Sequence, residues 1–231
     1  MLDGNEALVD CRLCPRLVAW REEVAREKRR AYQHEDYWGK PVPAFGDLGA
    51  NILILGLAPG AHGSNRTGRM FTGDASGEFL YPALYRAGLA SKAFAISRDD
   101  GMELKGVYIT AALRCVPPEN KPRPEELRRC RRWLEPDLNL PQLNVILALG
   151  KIAHDSYLDY LKSQHQQGPN GKTLSKGHYP FKHGATYRFK NRPSLVDSYH
   201  VSFQNTNTGK LSEVMFDEIL TQVKALATKE I

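Results

Sequence analysis

Three stretches of this 231-residue chain hold residue types that do chemistry. The first is a set of four cysteines, Cys11-Arg-Leu-Cys14, Cys115 and Cys130. Met1–Asp10 contains no apolar leader, and no run approaches the roughly 20 apolar residues that a membrane span needs. A cytoplasmic protein without a membrane anchor is therefore expected, in a compartment where disulfides are uncommon. Four thiols in that setting point to a metal or to redox chemistry. Their spacing suits zinc as well as iron–sulfur, and four unconnected buried thiols is the bland alternative. A site joining residue 11 to residues 115 and 130 would anchor the N-terminal helix, a structural role.

The second stretch, Gly56-Leu-Ala-Pro-Gly-Ala-His-Gly-Ser-Asn-Arg-Thr-Gly-Arg-Met-Phe-Thr-Gly-Asp74, has five glycines, so its backbone can approach a ligand closely. It lacks the Gly-Lys-Ser/Thr ending of a phosphate-binding P-loop. The third, His200-Val-Ser-Phe-Gln-Asn-Thr-Asn-Thr-Gly209, puts a histidine ahead of small polar residues that could bind phosphate or polarise a carbonyl.

Something must bring these stretches together. The apolar runs Asn51–Leu57, Gly106–Thr110 and Asn144–Leu149 predict buried strands, and Ser198–Val201 predicts a last one. Helices are expected over 16–31, over 77–89, after Pro124, after Gly150, and along the stripe Leu211, Met215, Ile219, Val223, Leu226. Residues 164–193, polar and glycine-rich, predict a long loop or hairpin. Strands alternating with helices imply an α/β fold with a parallel sheet covered on both faces. Sites in such sheets form beyond the carboxyl ends of strands. The loops 58–76, 113–123 and 200–209 should therefore converge on one site within a single domain spanning 1–231.

These stretches together resemble the uracil-DNA glycosylase superfamily, and in particular its iron–sulfur branch called type B, or family five. Gly56–Gly60 is similar to the first motif of that superfamily, and Arg66–Asp74 to the type B continuation. Arg114–Lys121 with Pro122 and Ala148–Gly150 are similar to the middle blocks, and His200–Gly209 to the second catalytic motif. The blocks occur in family order over nearly the whole chain. The resemblance implies a three-layer α/β/α sandwich with a small central parallel sheet. It implies a [4Fe–4S] cluster on Cys11, Cys14, Cys115 and Cys130, and a DNA substrate carrying uracil.

The resemblance also assigns roles. A base inside a duplex must be flipped out before its glycosidic bond is reached. Phe71 would stack on that base, although core packing is the ordinary role of such a residue. The Phe203-Gln204-Asn205 segment would fill the gap left in the stack. His200 and a backbone N–H near Ala58 would stabilise the leaving uracil O2. Leu57, Ala58, Gly60, Ser202 and Asn205 would line the substrate site, with Asn120 holding base or water. Other branches carry Asp, Asn or Glu where this chain has Leu57, which can neither orient nor deprotonate water. Asp74 could replace that group, or could cap the following helix beside Ser76 and Glu78. Many relatives read uracil with an Asn where this chain has Ala111, so discrimination should loosen toward hypoxanthine and xanthine. No lysine is placed as a Schiff-base nucleophile, so strand cleavage is not expected.

The formal charge of +6 favours an anionic partner. Basic residues cluster over 16–30 and 114–132, where solvated helix faces and phosphate contacts are both open. The competing class is a non-catalytic zinc- or cluster-bearing nucleic-acid-binding module. A zinc deaminase is disfavoured because no His-x-Glu accompanies Cys11-x-x-Cys14. A monomer is expected.

Overall fold

In the computed structural model, which describes residues 7–228, six strands form one sheet in the order β1-β3-β2-β4-β6-β5. They are β1 (Phe45–Gly46), β2 (Ile52–Gly56), β3 (Val107–Ala111), β4 (Val145–Leu149), β5 (Thr186–Phe189) and β6 (Arg192–Ser198). Most of the Met1–Asp10 segment lies outside the described residues. The four central strands are parallel, and every residue of β2, β3 and β4 is buried. Burial on both faces is why these strands read as continuous apolar runs.

The central sheet is parallel as expected, and the edges add two antiparallel strands. β1 runs antiparallel to β3, and β5 antiparallel to β6. β1 is two residues long, and β5 is only half-buried, so neither carries the apolar run that marks a buried strand. Asn191, at φ 55°, takes up the turn that joins β5 to β6, a left-handed position that Asn tolerates. The strand expected at Ser198–Val201 is displaced as well. β6 ends at Ser198, because its last two residues, Asp197 and Ser198, are polar yet fully buried and so disguise the strand.

The helices are α1 (Pro15–Glu27), α2 (Ser64–Thr67), α3 (Ala75–Arg86), α4 (Pro124–Leu138), α5 (Lys151–Ser163), α6 (Phe203–Asn207) and α7 (Glu213–Ala227). α1 stops short of the expected residue 31, because Lys28 turns to φ 52°. Alternate strand residues face opposite layers. Ile52, Ile54, Val107, Ile109, Val145 and Leu147 pack with Leu80 and Leu84 of α3 and Phe216 and Ile219 of α7. Leu53, Leu55, Tyr108, Ile146 and Ala148 pack with Leu134 of α4 and Tyr157 and Leu161 of α5. The fold is thus an α/β/α sandwich. Among the described residues, no helix is long and apolar enough to cross a membrane.

Candidate active site

The loops leaving β2, β3 and β6 meet beyond the carboxyl edge of the sheet around a cleft of about 430 Å³. Leu57, Ala58, Gly60, Phe71, Asp74, Asn120, His200 and Ser202 line it, together with Ser64, Met70, Ser76, Phe203 and Gln204. Ser64, Met70 and Ser76 were missed from the sequence; for Ser64 and Met70 the place inside the glycine-rich stretch was the available signal, whereas Ser76 lies in the first turn of α3. Two residues expected here lie elsewhere. Ala111 pairs with Gly56 at the end of β3 and is buried in the core. Asn205 turns back and donates from Nδ2 to the His200 carbonyl at 2.8 Å, bracing the loop instead of lining the cleft.

The loop between β2 and α3 is held under strain. Phe71 sits at φ 52°, a genuine outlier for a bulky residue that costs on the order of 1–3 kcal/mol. Two glycines make room for it. A Cβ on Gly56 would stand 2.8 Å from Phe71 Cζ, and one on Gly77 would stand 1.9 Å from the Phe71 carbonyl oxygen. Gly77→Ala is therefore expected to destabilise the protein by about 1–3 kcal/mol, read as a lower urea midpoint. Two buried arginines, not anticipated from the sequence, fasten the same loop. Arg66 donates to the carbonyls of His62 (2.7 Å) and Gly73 (2.8 Å) and pairs with Glu35. Arg69 donates to Thr72 Oγ1 at 3.0 Å and makes a bidentate pair with Asp100 at 2.7 and 2.6 Å. Glu119 and Asn120, at φ 54° and 57°, form a second left-handed stretch at the rim.

Of the two roles anticipated for Asp74, the structure shows the helix cap. Its Oδ1 accepts the N–H groups of Ser76 (3.0 Å) and Gly77 (3.3 Å), capping α3. Its Oδ2 faces the opposite way, where a Cβ on Gly60 or Gly63 would come within 2.6 or 1.9 Å of it. Burial raises the carboxyl above its ordinary value, against the pull of the two capping N–H groups.

The His200 imidazole is set into protein with one side open to the cleft. Its ring lies 6.3 Å from that of Phe71 and makes no hydrogen bond among the described residues. Burial pushes its pKa down to about 4, so the ring is neutral at neutral pH. Histidine in the unfolded chain protonates near 6.5, so between these values the unfolded chain binds the extra proton. Acidification through that window is expected to remove roughly 2–3 kcal/mol of stability. A His200→Phe variant should lose less stability than the parent between pH 7 and 4 in denaturant titrations. Equal losses would contradict the assignment.

The four cysteines converge on a second, small apolar cavity, lined also by Leu8, Leu13, Leu17, Val18, Pro41, Arg114, Arg129 and Trp133. No group of three or more His, Cys, Asp or Glu among the described residues is arranged to hold a metal ion. α1 and α4 are clamped beside the cavity, where Arg16 makes a bidentate pair with buried Glu126 at 2.8 and 2.7 Å and Arg129 donates to the Leu13 carbonyl at 3.2 Å. Two members of the basic runs prove to be buried: Arg21 and Arg114 are each 2 % exposed. Arg21 Nη1 donates to Cys115 Sγ at 2.9 Å, and the Arg114 backbone N–H to Cys130 Sγ at 3.3 Å. Arg21 Nε, two Arg114 side-chain nitrogens and Trp133 Nε1 are buried without an acceptor.

Comparison with known proteins matches residues 43–224 to the uracil DNA glycosylase superfamily. A "Type-5 uracil-DNA glycosylase" of Thermus thermophilus is 55 % identical over 96 % of both chains. One of the same description from Pyrobaculum aerophilum is 43 % identical over 96 % of this chain and 92 % of its own. A "Type-4 uracil-DNA glycosylase" of Archaeoglobus fulgidus is 37 % identical over about half of each chain, 48 % and 49 %. With the matching architecture and the cleft at the carboxyl edge of the sheet, these likenesses establish that the chain belongs to the uracil DNA glycosylase superfamily.

Proposed function

We propose that the protein hydrolyses the N-glycosidic bond of uracil flipped out of DNA, with water as the nucleophile. The observation that carries this reading is His200 lining the same cleft as the Phe71 ring, 6.3 Å away. Phe71 would receive the face of the extruded base, and Phe203, 64 % exposed at the rim, would enter the gap in the stack with Gln204. Exposed Arg26, Arg29, Arg128 and Arg132 would meet phosphates.

Breaking the bond leaves electrons on the base and positive charge on the sugar. A neutral His200 donates a ring N–H to O2 as that charge develops. The Ala58 N–H, which has no acceptor among the described residues, is a second donor. Water then bonds through its oxygen to C1′ and releases a proton to Asp74, while the base anion takes a proton from solvent. Among the described residues the cleft lining contains no lysine, which supports hydrolysis over Schiff-base chemistry. Leu57 contributes an apolar wall. No strand-end amide stands at Ala111 to filter bases, so slower release of hypoxanthine and xanthine is part of the proposal.

The four thiols fit a [4Fe–4S] cluster. Burial pushes the free thiols of Cys115 and Cys130 up to about 11 and 12, which leaves Arg21 Nη1 on a neutral sulfur, with half-exposed Glu22, 3.9 Å away, as its carboxylate neighbour. A buried charge needs an ionic partner, and a metal-bound thiolate supplies one. Cys11, Cys14, Cys115 and Cys130 would hold the cluster, which when bound supplies a structural tie between the N-terminal helix and the loop after β3. The same tie makes one domain of the chain.

The proposal is tested with duplexes carrying uracil, hypoxanthine, xanthine or thymine. Free uracil should appear fastest and thymine not at all; DNA binding without any base release would establish the non-catalytic module instead. Asp74→Asn separates the two roles of that carboxylate. The amide still caps α3, so thermal stability should hold while the chemical step slows by about 10²-fold. Undiminished excision would reduce Asp74 to a cap.

A further inference from the structure

We infer that His183 is a positioning residue for this reaction: its ring holds the backbone of Tyr199 and so aims His200 into the cleft. The inference rests on the proposed role of His200 as donor to the leaving base.

His200 lies two residues beyond the end of β6, and its own ring is not anchored by a hydrogen bond among the described residues. Its aim therefore depends on the backbone that leads to it. The Ser198 carbonyl accepts the Gly150 N–H at 2.8 Å, and Gly150, at φ 94°, lets the His200 Cβ pack against it. Asn205 Nδ2 holds the His200 carbonyl from the far side at 2.8 Å, and further support comes from the segment before β5. The Asp197 carbonyl accepts the Gly184 N–H at 2.8 Å, and the Asp197 N–H donates to the Ala185 carbonyl at 3.0 Å. Asp197 Oδ2 accepts the Lys182 N–H at 3.2 Å. Fully buried His154 joins both ends of this clasp, with Nδ1 2.8 Å from Asp197 Oδ1 and Nε2 2.9 Å from the Tyr179 carbonyl.

Of that segment, His183 supplies the contact nearest the site. The Tyr199 N–H points at His183 Nδ1 over 3.1 Å, and the two rings stack at 4.7 Å with 9° between their planes. A backbone N–H can only donate. Nδ1 must therefore accept, and the ring carries its proton on Nε2. Protonating the ring places a hydrogen on Nδ1, sets two donors face to face, and frees the residue next to His200.

The surroundings favour the accepting form. Burial holds His183 below the ordinary histidine value, with Glu218 of α7 opposing. Lys182 adjoins it in sequence, and Lys210 Nζ lies 4.8 Å from the Tyr199 ring centroid. The Asp197 carboxylate is already engaged by His154 and Lys182. A displacement of His200 of about 1 Å is enough to slow the chemical step by up to about 10²-fold.

The test uses single-turnover excision of uracil across pH with two variants, alongside long-range proton–nitrogen spectra of histidine-labelled protein. In His183→Asn the amide oxygen can stand where Nδ1 stood and accept without titrating. Its neutral-pH rate should stay within about threefold of the parent, and its acid-side loss should move to lower pH, leaving that limb to His200 and Asp74. His183→Phe keeps the stack and removes the acceptor, and should slow the chemical step by about 10- to 100-fold with DNA affinity unchanged. The spectra of the parent at neutral pH should show an unprotonated Nδ1 that is lost in both variants. A Phe variant at the parental rate, or an acid limb unmoved in the Asn variant, overturns the inference. Should the Phe variant fail to fold, the Asn pH profile decides alone. Failure of the underlying reading is separable: excision would then survive His200→Ala, while the spectra still report the His183 tautomer.

Discussion

His200→Ala is expected to slow release of uracil from duplex DNA by about 10²- to 10³-fold, the usual effect of removing one preorganised donor. The loss should fall on the single-turnover rate and leave the dissociation constant for uracil-containing DNA nearly unchanged, because a donor aimed at developing charge contributes little to ground-state binding. The pKa of about 4 decides the form of the effect. A ring that stays neutral to well below pH 6 stabilises the leaving base through an N–H dipole and carries no full charge. His200→Gln, which retains an N–H donor, should recover part of the rate, whereas His200→Phe should not. Equal rates in the parent and His200→Ala would remove the histidine from the chemistry.

Cys130→Ser is expected to have the largest effect on stability. If the four thiols hold a cluster, the parent protein should be brown, with broad absorbance near 400 nm, and the variant should lose that band. The variant should also unfold several degrees lower, because losing the cluster removes its tie between α1, the loop after β3 and α4, leaving polar contacts such as Arg16–Glu126, Arg129–Leu13 and Arg114–Asp137, and returns the Cys115 sulfur beside buried Arg21 to a neutral thiol. Removing the partner of a buried charge costs about 3–5 kcal/mol. A colourless, zinc-containing parent would replace the cluster with a single ion; a metal-free parent with unchanged melting in the variant would leave four ordinary buried thiols.

Much of this was legible in the chain because the central strands are buried on both faces. Ile52–Gly56, Val107–Ala111 and Val145–Leu149 announce themselves as unbroken apolar runs, and the loops that follow them had to share an edge of the sheet. What stayed hidden has physical reasons. β6 ends in two buried polar residues, and β1 is too short to carry a period. Arg21 and Arg114 looked like members of exposed basic runs, since burial of a guanidinium is readable only from its partners. The left-handed backbone of Phe71 and of Glu119 and Asn120 leaves no mark on residue type. Asp74 presented two alternatives; the fold shows the cap, made by Oδ1, and residue type alone does not tell which oxygen is engaged. Ala111 was correctly placed at a strand end, but its pairing with Gly56 puts it below the cleft floor.

The most direct measurement of the account is excision in water enriched in ¹⁸O. Incubated with a uracil-containing duplex, the protein is predicted to release free uracil and to leave an intact strand whose abasic sugar carries the heavy oxygen at C1′. A duplex that is bound but returned with its uracil in place, or a product trapped on the protein by borohydride, would contradict hydrolysis by water in this cleft.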